Sequence, residues 1–121
     1  MLRSGRAKSC APAGNYGILA DDAQKQRVIE DSLRGVPAAR QAWPGQAMLE
    51  DIRSEVRQIN VPTLVLAGER DQVDPTPRLR KEVLPQIPGS QLQVLPLSGH
   101  LPMLEAPEAV AVAIRQFIAT L

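Results

Sequence analysis

An α/β chain built on a βαβ unit with parallel strands and flanking helices is the fold class this sequence predicts, on three observations. Residues 21–59 carry apolar side chains at helical spacing, whereas residues 63–67 (Thr-Leu-Val-Leu-Ala) form a continuous, partly β-branched run. That run stops at Gly68 and Asp71, and a second run, beginning at Leu92, stops at Gly99 and His100. Between them lies a proline-opened interval of helical pattern, so the order is strand, helix, strand, which joins parallel neighbours by a crossover of expected right hand.

Composition narrows the function. With 121 residues, 44% apolar and 22% charged, the chain suits one small domain able to bury a core. A formal charge of +1, with basic and acidic residues interspersed, points to neither nucleic acid nor an anionic membrane as partner. An aromatic share of 2% leaves no platform for stacking bases. Neither a signal-type apolar segment nor a bilayer-length run is evident, so a soluble, cytoplasmic chain is expected. Cys10 is the only cysteine, which excludes an internal disulfide and fits a reducing compartment. Its basic neighbours favour a thiolate, but nothing places it near His100, and a surface thiol is the simpler reading. Neither a cofactor nor a metal site is expected.

In chain order, residues 1–20 hold Gly5, Pro12, Gly14 and Gly17 without periodicity and read as a flexible arm. Residues 21–59 read as a helical segment. Asp21 and Asp22 suit a helix start, Val28, Ile29 and Leu33 form its stripe, and Gly35 is expected to end it in a left-handed conformation. A second helix follows Pro37 and stops at Pro44 and Gly45; Trp43 and Met48 on this stretch either line an apolar pocket or simply pack. Leu49, Ile52, Val56 and Ile59 predict a further short helix.

Residues 60–121 hold the βαβ unit and a last helix. The first run is of the kind covered on both faces, while Gln91 and Gln93 give the second strand a wetter side; Leu95 and Leu97 are candidate continuations of it. Pro75 and Pro77 open the intervening helix and Pro85 limits it. Pro107 opens the last helix, whose face of Val110, Ala113, Ile114, Phe117, Ile118 and Leu121 is expected to be buried on the sheet.

Reactive groups of an open parallel sheet collect beyond the carboxyl ends of its strands, where both Asp71 and His100 fall. They are 29 positions apart in the sequence. Neighbouring strands lie about 4.8 Å apart, so the two loops can bring carboxylate and imidazole within hydrogen-bond reach. An aspartate accepting from one ring nitrogen fixes the tautomer and leaves the other nitrogen to take a proton. Taken singly, Asp71 equally suits a helix cap and His100 an exposed loop position. Asp74, just before Pro75, is the alternative acid, and Glu105 is expected to tether the loop or start the last helix rather than move protons. Leu101 and Met103, with Trp43, are candidate substrate contacts that rim packing explains as well.

The series V-P-T-L-V-L-A-G-E-R-D, then I-P-G-S, then V-L-P-L-S-G-H-L-P-M-L-E-A-P-E resembles the C-terminal part of the α/β hydrolase superfamily, from about Ile59 to Leu121. By this resemblance the chain is a partial α/β hydrolase fold: the last two strands of its sheet, preceded by the tail of a cap or lid over residues 21–59. Asp71 is then the triad acid and His100 the triad base of a cofactor-free hydrolase of esters, lactones or similar acyl bonds. The family's nucleophile, usually within G-x-S-x-G on a strand-to-helix turn, has no counterpart here. Ser4, Ser9, Ser32, Ser54, Ser90 and Ser98 lack that setting, and Ser98 is expected only to shape the histidine loop. The expectation is therefore a chain inactive alone, completed through a strand edge by a second copy or by an N-terminal hydrolase segment. The alternative is a non-catalytic remnant or assembly module.

Overall fold

Asp21 begins the first element of the described residues, 20–121, in a computed structural model of the chain. The predicted arm up to residue 19, with Cys10, lies outside the described residues. Helix α1 (Asp22–Arg34) starts with a full capping box: Asp21 Oδ1 accepts from Gln24 N at 2.7 Å, and Gln24 Oε1 accepts from Asp21 N at 3.0 Å. A cap of this kind stabilises a helix by about 1 kcal/mol. Val28 and Ile29 are half-buried, whereas Leu33 is exposed. The predicted left-handed Gly35 is not found. It is extended (φ −59°, ψ 140°), as is Val36, the residue that Pro37 disfavours from helical backbone.

Helix α2 (Pro37–Gly45) runs through Pro44 rather than stopping before it, and Gln46 N donates to Ala42 O at 2.9 Å to close it. The helix predicted from Leu49, Ile52, Val56 and Ile59 is broken into a 3-10 turn (Ala47–Leu49) and the single turn of α3 (Arg53–Val56). Asp51 causes the restart. Its carboxylate accepts from Arg53 N at 3.1 Å and pairs with the same residue's guanidinium, which holds its pKa down to about 2. Leu49 and Ile52 are consequently exposed instead of forming a stripe.

Strands β1 (Leu64–Gly68) and β2 (Gln91–Leu95) pair in parallel, with Leu64 opposite Gln91 and Gly68 opposite Leu95. Gln91 N to Thr63 O and Glu69 N to Leu95 O, each 2.9 Å, continue the ladder at both ends. The crossover begins as α4 (Thr76–Arg78), widens into a π turn (Leu79–Val83) and tightens into a 3-10 turn (Leu84–Gln86). Pro85 explains the widening, since its ring clashes with a regular helical carbonyl four residues back and it has no N–H to offer. Ile87 is buried; Pro88 and Gly89 then form a turn in which Ser90 N donates to Ile87 O at 3.1 Å and Gly89 takes the positive φ of 76° that this turn requires. β2 stops at Leu95. Leu97, a candidate strand residue by sequence, instead adopts φ 63° and turns the chain back towards β1.

The one-turn α5 (Pro102–Glu105) leads into α6 (Pro107–Ile118), which packs on both strands. Ala113 is fully buried there and Val110 and Phe117 are half-buried, but Ile114, Ile118 and Leu121 stand open, the last two 60% and 72% exposed. Residues 64–66 of β1 are likewise only half-buried. Both findings correct the expectation of full cover, and the reason is the same: the described sheet has two strands, too few to fill the face that α6 and β1 present. The best-buried part of the sheet is its carboxyl end, at Ala67, Gly68 and Leu95. Among the described residues no helix is long and apolar enough to cross a membrane.

Candidate active site

The two strand ends deliver their loops to one place. Asp71 follows β1 by three residues, and its Oδ1 accepts from the N–H groups of Val73 (2.8 Å) and Asp74 (3.0 Å), which fixes the carboxylate as the turn forms. Its other oxygen, Oδ2, lies 3.0 Å from His100 Nδ1. The Asp71 side chain is 8% exposed and that of His100 34%, so the acid is shielded and the base reachable. With the proton on Nδ1 donated to Asp71, Nε2 is left unprotonated and able to accept one.

Burial raises the pKa of Asp71, but the hydrogen bonds from His100 and from the Asp74 and Val73 N–H groups outweigh it and hold the carboxyl below its usual value. A folded-state pKa below the unfolded one adds stability at pH values above the ordinary carboxylate pKa of about 4, and that contribution disappears as pH falls through the lowered value. Urea midpoints of wild type and Asp71→Asn are therefore expected to differ at neutral pH and to converge below about pH 4.

The loop that carries His100 is held at several points. Arg70 N donates to Ser98 O at 2.8 Å, and Leu97 N donates to Glu69 Oε2 at 2.9 Å, tying it to the loop of Asp71. Gly68 lies directly beneath: a Cβ there would sit 2.0 Å from Gly99 O and 2.5 Å from Ser98 O. Only a glycine allows that approach. Sequence reasoning read Gly68 as a strand terminator and missed this contact, which depends on a loop 30 residues away. Glu105 is 7% exposed; its carboxylate accepts from Gly99 N at 3.0 Å and Leu101 N at 3.4 Å, the tethering role expected of it.

The remaining candidates are less closely gathered. Leu101 is half-buried next to His100 in sequence and Met103 is largely exposed on α5. Trp43 stands 61% exposed on α2, and no hydrogen bond joins it to the pair. Asp74 contributes its N–H to Asp71 and its carboxylate to Arg78 at 3.5 Å, so it serves the turn and not His100. Three of the four described serines are otherwise engaged: Ser32 Oγ donates to Val28 O at 2.7 Å, Ser54 Oγ to Glu55 at 2.8 Å and Ser90 Oγ to Leu84 O at 3.5 Å. Ser98 is fully buried with no partner for its hydroxyl among the described residues. Among the described residues, Asp71 is the hydrogen-bond partner of the imidazole. No three of their His, Cys, Asp or Glu side chains gather as a metal-holding group.

The chain has relatives among known proteins. The chain is 32% identical over 99 residues to pimeloyl-[acyl-carrier protein] methyl ester esterase of Stenotrophomonas maltophilia, covering 80% of this chain and 37% of that protein. It is 33% identical over 93 residues to the esterase of the same name from Neisseria meningitidis, covering 76% of this chain and 30% of the relative. The chain thus spans about a third of the length of these relatives. Among solved structures, a bromoperoxidase from Bacillus anthracis superposes with a TM-score of 0.77 at 17% identity, covering 88% of this chain and 40% of that one, a likeness of fold. A thermophilic esterase from Thermogutta terrifontis matches at 37% identity with a TM-score of 0.55, covering 63% of this chain and 28% of its own. The α/β hydrolase family matches residues 4–113. With its parallel strand pair, flanking helices and that match over most of its length, the chain belongs to the α/β hydrolase family and has a partial α/β hydrolase fold.

Proposed function

We propose that this chain supplies the acid and base of a cofactor-free serine hydrolase acting on an ester or similar acyl bond, and that the attacking serine comes from outside these 121 residues. The observation that carries this is the 3.0 Å contact between His100 Nδ1 and Asp71 Oδ2 at the carboxyl ends of two adjacent parallel strands. His100 Nε2 takes the proton of the serine hydroxyl as it attacks the acyl carbon, and returns it to the leaving alcohol; Asp71 stabilises the imidazolium between the two steps. The names of the similar esterases make a methyl ester of an acyl chain the first substrate class to try. The single cysteine suits a reducing, cytoplasmic setting.

The open flank of α6 and the half-buried β1 support the partner in this scheme. An N-terminal hydrolase segment would add a strand at the edge of β1 that no described residue pairs with, and cover Ile114, Ile118 and Leu121. The same surface supports a second reading, a non-catalytic module that assembles with its own copies through that edge. A chromogenic short-chain ester assay on the chain alone, and mixed with a nucleophile-bearing N-terminal segment of a related esterase, separates the two. Hydrolysis that appears only on mixing and vanishes with His100→Ala is the expected result. A stable homo-oligomer that gains no activity on mixing supports the module instead.

A further inference from the structure

We infer that Glu105 is a positioning residue for His100, acting through the backbone N–H groups of the residues on either side of it, Gly99 and Leu101. Its carboxylate is nine-tenths buried at the end of α5, and its two oxygens face different donors: Oε2 accepts from Gly99 N at 3.0 Å and Oε1 from Leu101 N at 3.4 Å. The residue between those donors is the base itself. One buried anion therefore straddles His100: it holds the peptide that follows the His100 Cα and, one peptide further back, the Ser98–Gly99 group, which together restrict where the Cα–Cβ bond of His100 points.

The hold is reciprocal. Glu105 N donates to Leu101 O at 3.1 Å and Leu104 N to the same oxygen at 2.9 Å, so α5 closes on the loop that its last residue clasps. Beneath, Gly68 bars the loop from sinking, and Arg70 N holds Ser98 O at 2.8 Å. Hydrogen bonds to a carboxylate are about twice as strong as those between neutral groups, and a buried N–H deprived of its acceptor is destabilised further. A glutamine at 105 has nearly the same shape but only one acceptor oxygen; its NH2 would face whichever N–H that oxygen does not serve. Removing the charge while keeping the volume thus tests positioning separately from packing. The inference rests on the acid–base reading of the Asp71–His100 pair.

His100 is the one histidine in the sequence, so nitrogen-15 NMR of the imidazole reports it alone. In the full chain, wild type is expected to show the form protonated at Nδ1 and hydrogen-bonded to Asp71, and Asp71→Asn to lose it. Glu105→Gln is expected to shift the ring towards the form protonated at Nε2 and to move the Gly99 and Leu101 amide resonances, with the amides of β1 and β2 unchanged. Glu105→Ala is expected to lose the Nδ1 form, and if that variant unfolds, Glu105→Gln decides alone. An imidazole in Glu105→Gln indistinguishable from wild type overturns the positioning role and leaves the acid–base pair standing. A wild-type ring lacking the Nδ1 form overturns the pair itself, whatever Glu105 does.

Discussion

Gly68→Ala is expected to dislodge the histidine loop and to be among the most damaging changes the chain can suffer for a single added methyl group. The new Cβ would lie 2.0 Å from Gly99 O, 2.5 Å from Ser98 O and 2.8 Å from the Gly99 carbonyl carbon. These are backbone atoms, so no side-chain rotation relieves the overlap. The strand cannot yield readily because its ladder continues past Gly68 to the bond from Glu69 N to Leu95 O. Nor can the loop, tied by Arg70, Glu69 and Glu105. Overpacking in a well-filled interior costs about 1–3 kcal/mol, and this site should reach or exceed the upper figure. The urea midpoint gives the measurement, with Gly45→Ala as the control, since a Cβ at Gly45 meets nothing within 4 Å. Equal effects of the two substitutions would show that the close approach at Gly68 carries no special weight.

Asp71→Asn is expected to lower the rate of ester hydrolysis in the completed assembly by roughly 10²- to 10⁴-fold while leaving binding of the two parts intact. The amide preserves the side-chain shape and can still accept from the Val73 or Asp74 N–H, now 2.8 and 3.0 Å from Oδ1. Its NH2 would then face His100 Nδ1 as a donor, holding the proton on Nε2, the nitrogen that must be free to receive one. The loss should appear in kcat with little change in KM, because the substrate's ground state does not sense the tautomer. Wild-type kcat in Asp71→Asn would mean that another group orients the imidazole.

The sequence made the Asp71–His100 pair legible because strand ends are marked by local chemistry: an apolar run, a glycine, then a polar residue. Adjacent parallel strands turn two such marks into neighbours without further information. Other features are not local. Ile114, Ile118 and Leu121 read as core because they are apolar at helical spacing, yet the described residues do not cover them. Periodicity reports what a face is suited to meet, not whether the partner is there. The short helix predicted from Leu49, Ile52, Val56 and Ile59 forms only over Arg53–Val56 for the opposite reason: Asp51 bonds to Arg53 and restarts the turn, a short-range polar contact that interrupts a sparse apolar stripe. The π turn ahead of Pro85 lies between these extremes, since the proline announced a limit but not the way the helix would widen to meet it.

Gln24 bears two duties at once. Its Oε1 completes the capping box of α1, and its Nε2 donates to Leu104 O at 2.6 Å, one residue before the carboxylate that accepts from Gly99 N and Leu101 N on either side of His100. The opening turn of the helical segment and the seat of the imidazole therefore share a fastening, so that fraying at one is felt as slack at the other. The first described helix thereby serves as a structural prop of the base.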